Sequence, residues 1–340
     1  LKAPTDRSQS DCVHEQVAKA DCECPLYRRI SIPPLQVRRA LSGGEGGIEV
    51  KSGETGKIKG NIRAVFHISS VEFQRWMRSS RLIILGVMLV FIHMQIIITL
   101  QDCAVRMGEP VTILEAFVAL GNSGVIVLIL PALFLVLLSD FPQKGGIDFL
   151  YQMRCAKKTW IWGQIFFALE AVVFLVAFLI VSSCIMMSGK GVWQMKFSNA
   201  VTYYSSTFPE RTGDYILQLL PENLYQQMLF STAVLHTILM LFLYFFLLAM
   251  ILLFVALCNR KFVGVLVDGI LIVLGTVSCS ANAAWMWLFP MAHAIPWVHY
   301  EKYLRVQVFP IWGSYLYLAG SCVGLMIGCM FAAKKYQAGR

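Results

Sequence analysis

The stretch Phe141–Gly163, FPQKGGIDFLYQMRCAKKTWIWG, decides how the chain is organised. It is short, basic and aromatic. It lies between two long apolar runs, Ile113–Leu138 and Thr159–Met187. Each run exceeds the roughly 20 residues that cross a bilayer core as a helix. The stretch therefore belongs at a membrane face. Lys144, Arg154, Lys157 and Lys158 assign that face to the cytoplasm, because cytoplasmic connections are enriched in Lys and Arg. Within it, GIDFLYQMRCAKK reads as a short amphipathic helix with Ile147, Leu150, Tyr151 and Arg154 on one face. Gly145-Gly146 opens that helix, and Asp148 suits its positive N-terminal end.

Composition agrees with a membrane protein. Of 340 residues, 57% are hydrophobic and 14% charged, against about 25% charged in a soluble globular domain. The net charge of +9 does not point to nucleic acid, because the cations gather at the ends of apolar runs. Charge placed there sets topology and meets anionic headgroups. Ten cysteines are scattered without a paired C-x-x-C, which argues against a structural zinc site. A disulfide among Cys103, Cys184 and Cys279 stays open. No H-E-x-x-H, G-x-S-x-G or acidic cluster with metal-ligand spacing is present, so no enzyme activity and no resident metal are expected.

Residues 1–60 are polar, rich in Gly and Ser, and without an apolar core. They are expected to be disordered and to hold no cleavable signal peptide. From Asn61 to Arg81 apolar and basic residues mix, which predicts an interfacial helix on the cytoplasmic surface. The remainder, within a domain of residues 61–340, predicts an all-α fold with six transmembrane helices: 82–100, 113–138, 159–187, 228–257, 262–280 and 309–333. The inner flanks carry Arg75, Arg78, Arg81, Lys144, Arg154, Lys157, Lys158, Arg260, Lys261, Lys334, Lys335 and Arg340. The longer outer connections carry only Arg106, Lys190, Lys196, Arg211, Lys302 and Arg305. Both termini are therefore expected in the cytoplasm. The outer connections have character of their own. Ser188–Gln227 holds an amphipathic segment, and Ala281–Val308 holds three tryptophans, His293, His299, Pro290 and Pro296.

Ionisable and polar groups inside spans are costly and mark function by default. Glu170 lies eleven residues past Thr159, about 16 Å deep at 1.5 Å per residue. Asp268 interrupts the fifth span, and His93 and His236 lie in the first and fourth. Gly121-Asn122-Ser123-Gly124 and Pro131 permit close packing and a kink in the second span. Asn122, Glu170, His236 and Asp268 form the candidate translocation path. The bland alternative for each is packing between helices.

The cytoplasmic helix after the second span, the basic run Arg154, Lys157, Lys158 and Trp160, and the helix before the first span resemble the membrane subunits of type-2 ABC exporters. In that family a coupling helix docks on a separate ATPase, and the connection between the fifth and sixth spans dips back into the outer leaflet. The resemblance implies ATPase coupling through Ile147, Asp148, Leu150, Tyr151, Arg154 and Lys157. It implies an ABC ATPase subunit and a second permease copy or paralogue as partners, beside membrane lipids. It implies no cofactor in this chain, with ATP bound on the partner, and a bacterial plasma membrane location. LSGGE at Leu41–Glu45 matches the ATPase signature and GETGK at Gly53–Lys57 a phosphate loop, but neither has its domain or full spacing. The alternatives are a proton-coupled secondary transporter and a non-transporting sensor or assembly protein. Against the former, the halves show no inverted repeat.

Overall fold

A computed structural model describes residues 53–143, 155–301 and 306–335. All its regular structure in these ranges is helical, with only two isolated β-bridges. The first helix, α1, runs Gly53–Met77 and takes GETGK into its first turns. It starts eight residues before the boundary drawn at Asn61. Next, α2 (Ser80–Met107) is one long helix with a π turn at His93–Ile97. The second apolar run is split into α3 (Glu115–Asn122) and α4 (Gly124–Leu138). The longest helix is α5 (Lys157–Met187). After a chain of short helices come α6 (Phe230–Leu257) and α7 (Lys261–Ser280). A single turn of helix, α8 (Pro290–Ala294), precedes the last helix, α9 (Ile311–Lys335).

Among the described residues, five helices are long and apolar enough to cross a membrane: Ser80–Met107, Lys157–Met187, Phe230–Leu257, Lys261–Ser280 and Ile311–Ala333. A protein of this build fits an integral, multi-pass membrane protein. The α3–α4 pair bends by 83° and counts as a sixth only if the pair is one span. The break falls at Ser123, whose backbone is extended (φ −80°, ψ 129°), and not at Pro131, which sits inside α4. Gly and Ser are poor helix residues, and a partner for the interrupted backbone arrives from elsewhere in the fold, as described below.

Helix α6 is central, with α5, α7 and α9 packed on it. Lipid tails are as apolar as Leu, so helices in a membrane associate through close fit and small residues. Gly121 shows this: a Cβ there would lie 2.4 Å from Thr237 Cγ2 on α6. The two ends of the bundle are tied by charge. At one end Asp140 pairs with Arg81 and with Lys261 (3.7 Å), joining the starts of α2 and α7 to the end of α4. At the other, Arg106 meets Asp214 and the Tyr204 hydroxyl, both at 3.4 Å. The buried Glu115 carboxylate there accepts from Thr112 N (3.0 Å), Ser198 N (2.5 Å) and Ser198 Oγ (2.9 Å).

The helix expected on the membrane surface, α1, packs one face on protein, with Ile68, Glu72 and Trp76 buried and Ile62 and Phe66 exposed. It runs beside α5 in the same direction, with ring pairs Phe66–Phe166 (5.1 Å) and Phe73–Phe174 (5.9 Å). Trp76 is buried and donates its indole N–H to the Leu137 carbonyl (3.2 Å). A 31-residue helix spans about 46 Å, more than the ~30 Å hydrocarbon core. α1 packs along the first half of α5, and its Trp76 end meets the last turn of α4.

Candidate functional site

The polar residues of the bundle converge where the connection between α7 and α9 folds back into it. Ala281 and Asn282 turn the chain after α7, and residues 284–288 form a 3-10 turn. The chain then enters the protein as α8. Met291 and Ala292 have no exposed surface, and His293 has 1%. Gly275 on α7 makes room for this, since a Cβ there would lie 2.7 Å from Met291 Cβ. The prolines at 290 and 296 each begin a short helical turn, where a missing N–H costs nothing.

Three sets of contacts join this segment to the helices around it. In the first, Trp297 donates its indole N–H to the Asn122 carbonyl (2.7 Å), at the break between α3 and α4. Asn122 donates Nδ2–H to the Val118 carbonyl (2.8 Å) and to Thr237 Oγ1 (3.1 Å). The break is thus held by a tryptophan from the folded-back segment and a threonine from the central helix. Asn122 Oδ1 and Ser123 Oγ are buried there with no hydrogen-bond partner. In the second, His236 Nδ1 lies 2.7 Å from the Tyr315 hydroxyl, linking α6 to α9. In the third, both His293 Nδ1 (2.8 Å) and His299 Nε2 (2.7 Å) reach the Ser314 hydroxyl. Trp287, Phe309 and Tyr317 enclose these rings, with Trp287 5.5 and 5.2 Å from the two imidazole centroids and Tyr317 4.1 Å from His293. Burial pushes the His293 imidazole below its ordinary value and takes His299 down to about 4.

Of the four candidate path residues, the structure brings two into this region. Asn122 bonds Thr237, the neighbour of His236 in sequence. Asp268 stands apart, two turns along α7 from Gly275. It is fully buried, and neither carboxylate oxygen has a hydrogen-bond partner. Glu170 is half-buried on α5. It lies three residues beyond Phe167, whose ring meets Phe141 just past α4 (5.2 Å). That is about one helical turn from the level where α4 ends, so Glu170 is shallower in the bundle than its distance from Thr159 implied. His93 is exposed. Of the coupling residues, Lys157 is exposed at the start of α5. Ile147, Asp148, Leu150, Tyr151 and Arg154 lie outside the described residues.

Sequence reasoning did not single out Thr237, Ser314 or Tyr315, and treated Trp297, His293 and His299 only as features of an outer connection. A signal for the pair was present in PMAHAIPWVH: two histidines six residues apart in an apolar run broken by prolines. Ser314 carried none, because a serine in an apolar helix is ordinary. Among the described residues no group of three His, Cys, Asp or Glu is gathered to hold a metal ion. No protein-family model, curated protein or solved structure matches this chain.

Proposed function

We propose that this chain is the membrane permease subunit of a type-2 ABC exporter, with six crossings and both termini in the cytoplasm. The observation that carries the reading is the segment 290–299. A connection between two long apolar helices has turned back into the bundle, where His293, Ile295 and His299 are buried. This is the character that the family resemblance predicts between the fifth and sixth spans. The bent α3–α4 pair supports a sixth crossing. Its beginning is bonded to Ser198 near the Arg106 end, and Asp140 after it pairs at the Arg81 end. Phe262, Leu266, Ile270, Val273 and Val277 form an open apolar stripe along α7, suited to lipid or a second permease.

In this reading the ATPase and its ATP belong to a partner, and two permease copies or paralogues form the path. The double substitution Leu150→Ala with Tyr151→Ala tests the coupling. Truncating apolar anchors at hot spots costs about 2 kcal/mol or more each, so ATPase co-purification falls about a hundredfold or more, while membrane insertion is unchanged. Equal recovery at matched permease levels removes the coupling assignment. Failure of the wild-type chain to bring down any ATPase from its own membranes removes the ABC reading.

A second reading, a proton-coupled secondary transporter, is favoured by Asp268. A carboxylate buried with both oxygens unpartnered is held against its own desolvation cost, which is the condition of a group that binds and releases a proton.

A further inference from the structure

Ser314 sits between two imidazoles whose other nitrogens are already committed. His293 Nε2 lies 2.8 Å from the Trp287 carbonyl, and His299 Nδ1 lies 3.0 Å from the Ile295 carbonyl and 3.2 Å from that of Pro296. A carbonyl oxygen only accepts, so each of these nitrogens carries a proton. In the neutral rings, the other nitrogens, His293 Nδ1 and His299 Nε2, are then both acceptors. Both face the same hydroxyl, at 2.8 and 2.7 Å. One hydroxyl has one proton and satisfies only one of them. With both rings neutral, a nitrogen lone pair is left against an oxygen lone pair at hydrogen-bond distance. All three side chains are buried, so water does not relieve it.

One added proton completes the chain. If it sits on His299 Nε2, that N–H donates to Ser314 Oγ, and the Ser314 O–H donates to His293 Nδ1. If the Ser314 proton passes to His293 while Ser314 takes the one from His299, the same bonds form in the opposite sense. The charge has then moved from one ring to the other with no heavy atom displaced. A second proton makes both rings cationic around one oxygen and leaves the hydroxyl proton without an acceptor. We infer that His293, Ser314 and His299 form a binding site for a single proton, which the two imidazoles share through the serine hydroxyl.

The surroundings suit one charge and not two. The helices packed on the site present His236 from α6, and Tyr315 and Tyr317 from α9. No carboxylate is bonded to either ring among the described residues. His293 and His236 both oppose a charge on His299. Burial and this repulsion hold uptake below the ordinary histidine value of about 6.5, and the completed hydrogen bonds favour the first proton alone. The unfolded chain takes two protons where the folded one takes at most one. Stability therefore falls as pH drops through the window from about 6.5 to about 4.

The test is solid-state NMR of the intact chain in bilayers, with 15N-labelled histidine and the two signals assigned by His293→Gln and His299→Gln. At pH 8, His293 shows the Nε2–H tautomer and His299 the Nδ1–H tautomer. On acidification one imidazolium equivalent appears for the pair, and the second appears only with loss of the fold. Ser314→Ala moves that uptake to at least about tenfold higher proton concentration, because the cation loses a charge-assisted bond. Ser314→Thr restores it. The site is overturned if both rings become cationic together in the folded protein, if neither does by pH 4, or if either tautomer is reversed. It is also overturned if a folded Ser314→Ala protein titrates like the wild type. If that variant does not fold, the wild-type tautomers and proton count decide.

Discussion

Asp268 is the residue whose chemistry stability explains least. A buried polar group without a partner costs about 1–3 kcal/mol, and a charged one more. Both Asp268 oxygens are in that state, on a helix whose neighbours at Gly264 and Ile272 are packed and apolar. Leucine has a similar shape and no polar atoms. Asp268→Leu is therefore expected to fold and to raise unfolding stability in detergent by about 1–3 kcal/mol, while any transport that uses the carboxylate is lost. Thermal unfolding of the two proteins checks the first half. A clear loss of stability would mean that the carboxylate has a structural partner and is not held for function. Glu115 is the contrasting case. Its three hydrogen bonds to Thr112 and Ser198 make it a clasp for the connection between α5 and α6.

Among the elements, α1 depends most on a single position of its partner. A Cβ at Gly163 would lie 2.6 Å from Ile68 Cγ2 and 2.8 Å from Ile68 Cβ, distances that β-branched Ile68 does not relieve by rotating. Gly163→Ala is expected to lift α1 from α5 at a cost of about 1–3 kcal/mol, the usual range for overpacking. Hydrogen exchange over residues 62–77 should rise, with little change in α6. Adding Ile68→Ala removes the closer atom, Cγ2, and keeps the Cβ, so it should restore part of the protection. Increased exchange in the single variant that persists undiminished in the double would show that α1 is held by something other than this approach. The Asp140 cluster contributes less to the same region, because Asp140 is 58% exposed and its pairs are screened by solvent.

For the whole molecule the expected outcome is topological. The pairs Arg81–Asp140 and Lys261–Asp140 gather three chain segments at one end of the bundle, and Arg106–Asp214 marks the other. With inner cations outnumbering outer ones, single thiols introduced at Lys157 and Lys335 in a cysteine-free background should be shielded from membrane-impermeant reagents in intact cells. A thiol at Lys190 should be labelled. Labelling at Lys157 from outside would reverse the orientation and remove the cytoplasmic role of the loop before it.

Sequence by itself determined the membrane class and most helix positions. Long uninterrupted apolar runs have few foldings open to them in lipid, where each backbone group must be bonded within its own helix. That is why the runs expected at 159–187, 228–257 and 262–280 reappear as Lys157–Met187, Phe230–Leu257 and Lys261–Ser280. Asp268, an odd residue in an apolar run, was visible for the same reason. Tertiary structure alone decided what those helices do to one another. The second run breaks at Ser123, where Trp297, 175 residues from Asn122, bonds the Asn122 carbonyl, and no local pattern records so distant a partner. The helix α1 lies on α5 because Gly163 admits Ile68, whereas amphipathic periodicity is the same for a helix on lipid and a helix on protein. His293, His299 and Ser314 meet because α8 is folded back against α9, and a proton shared between them is a property of that juxtaposition, not of any one residue.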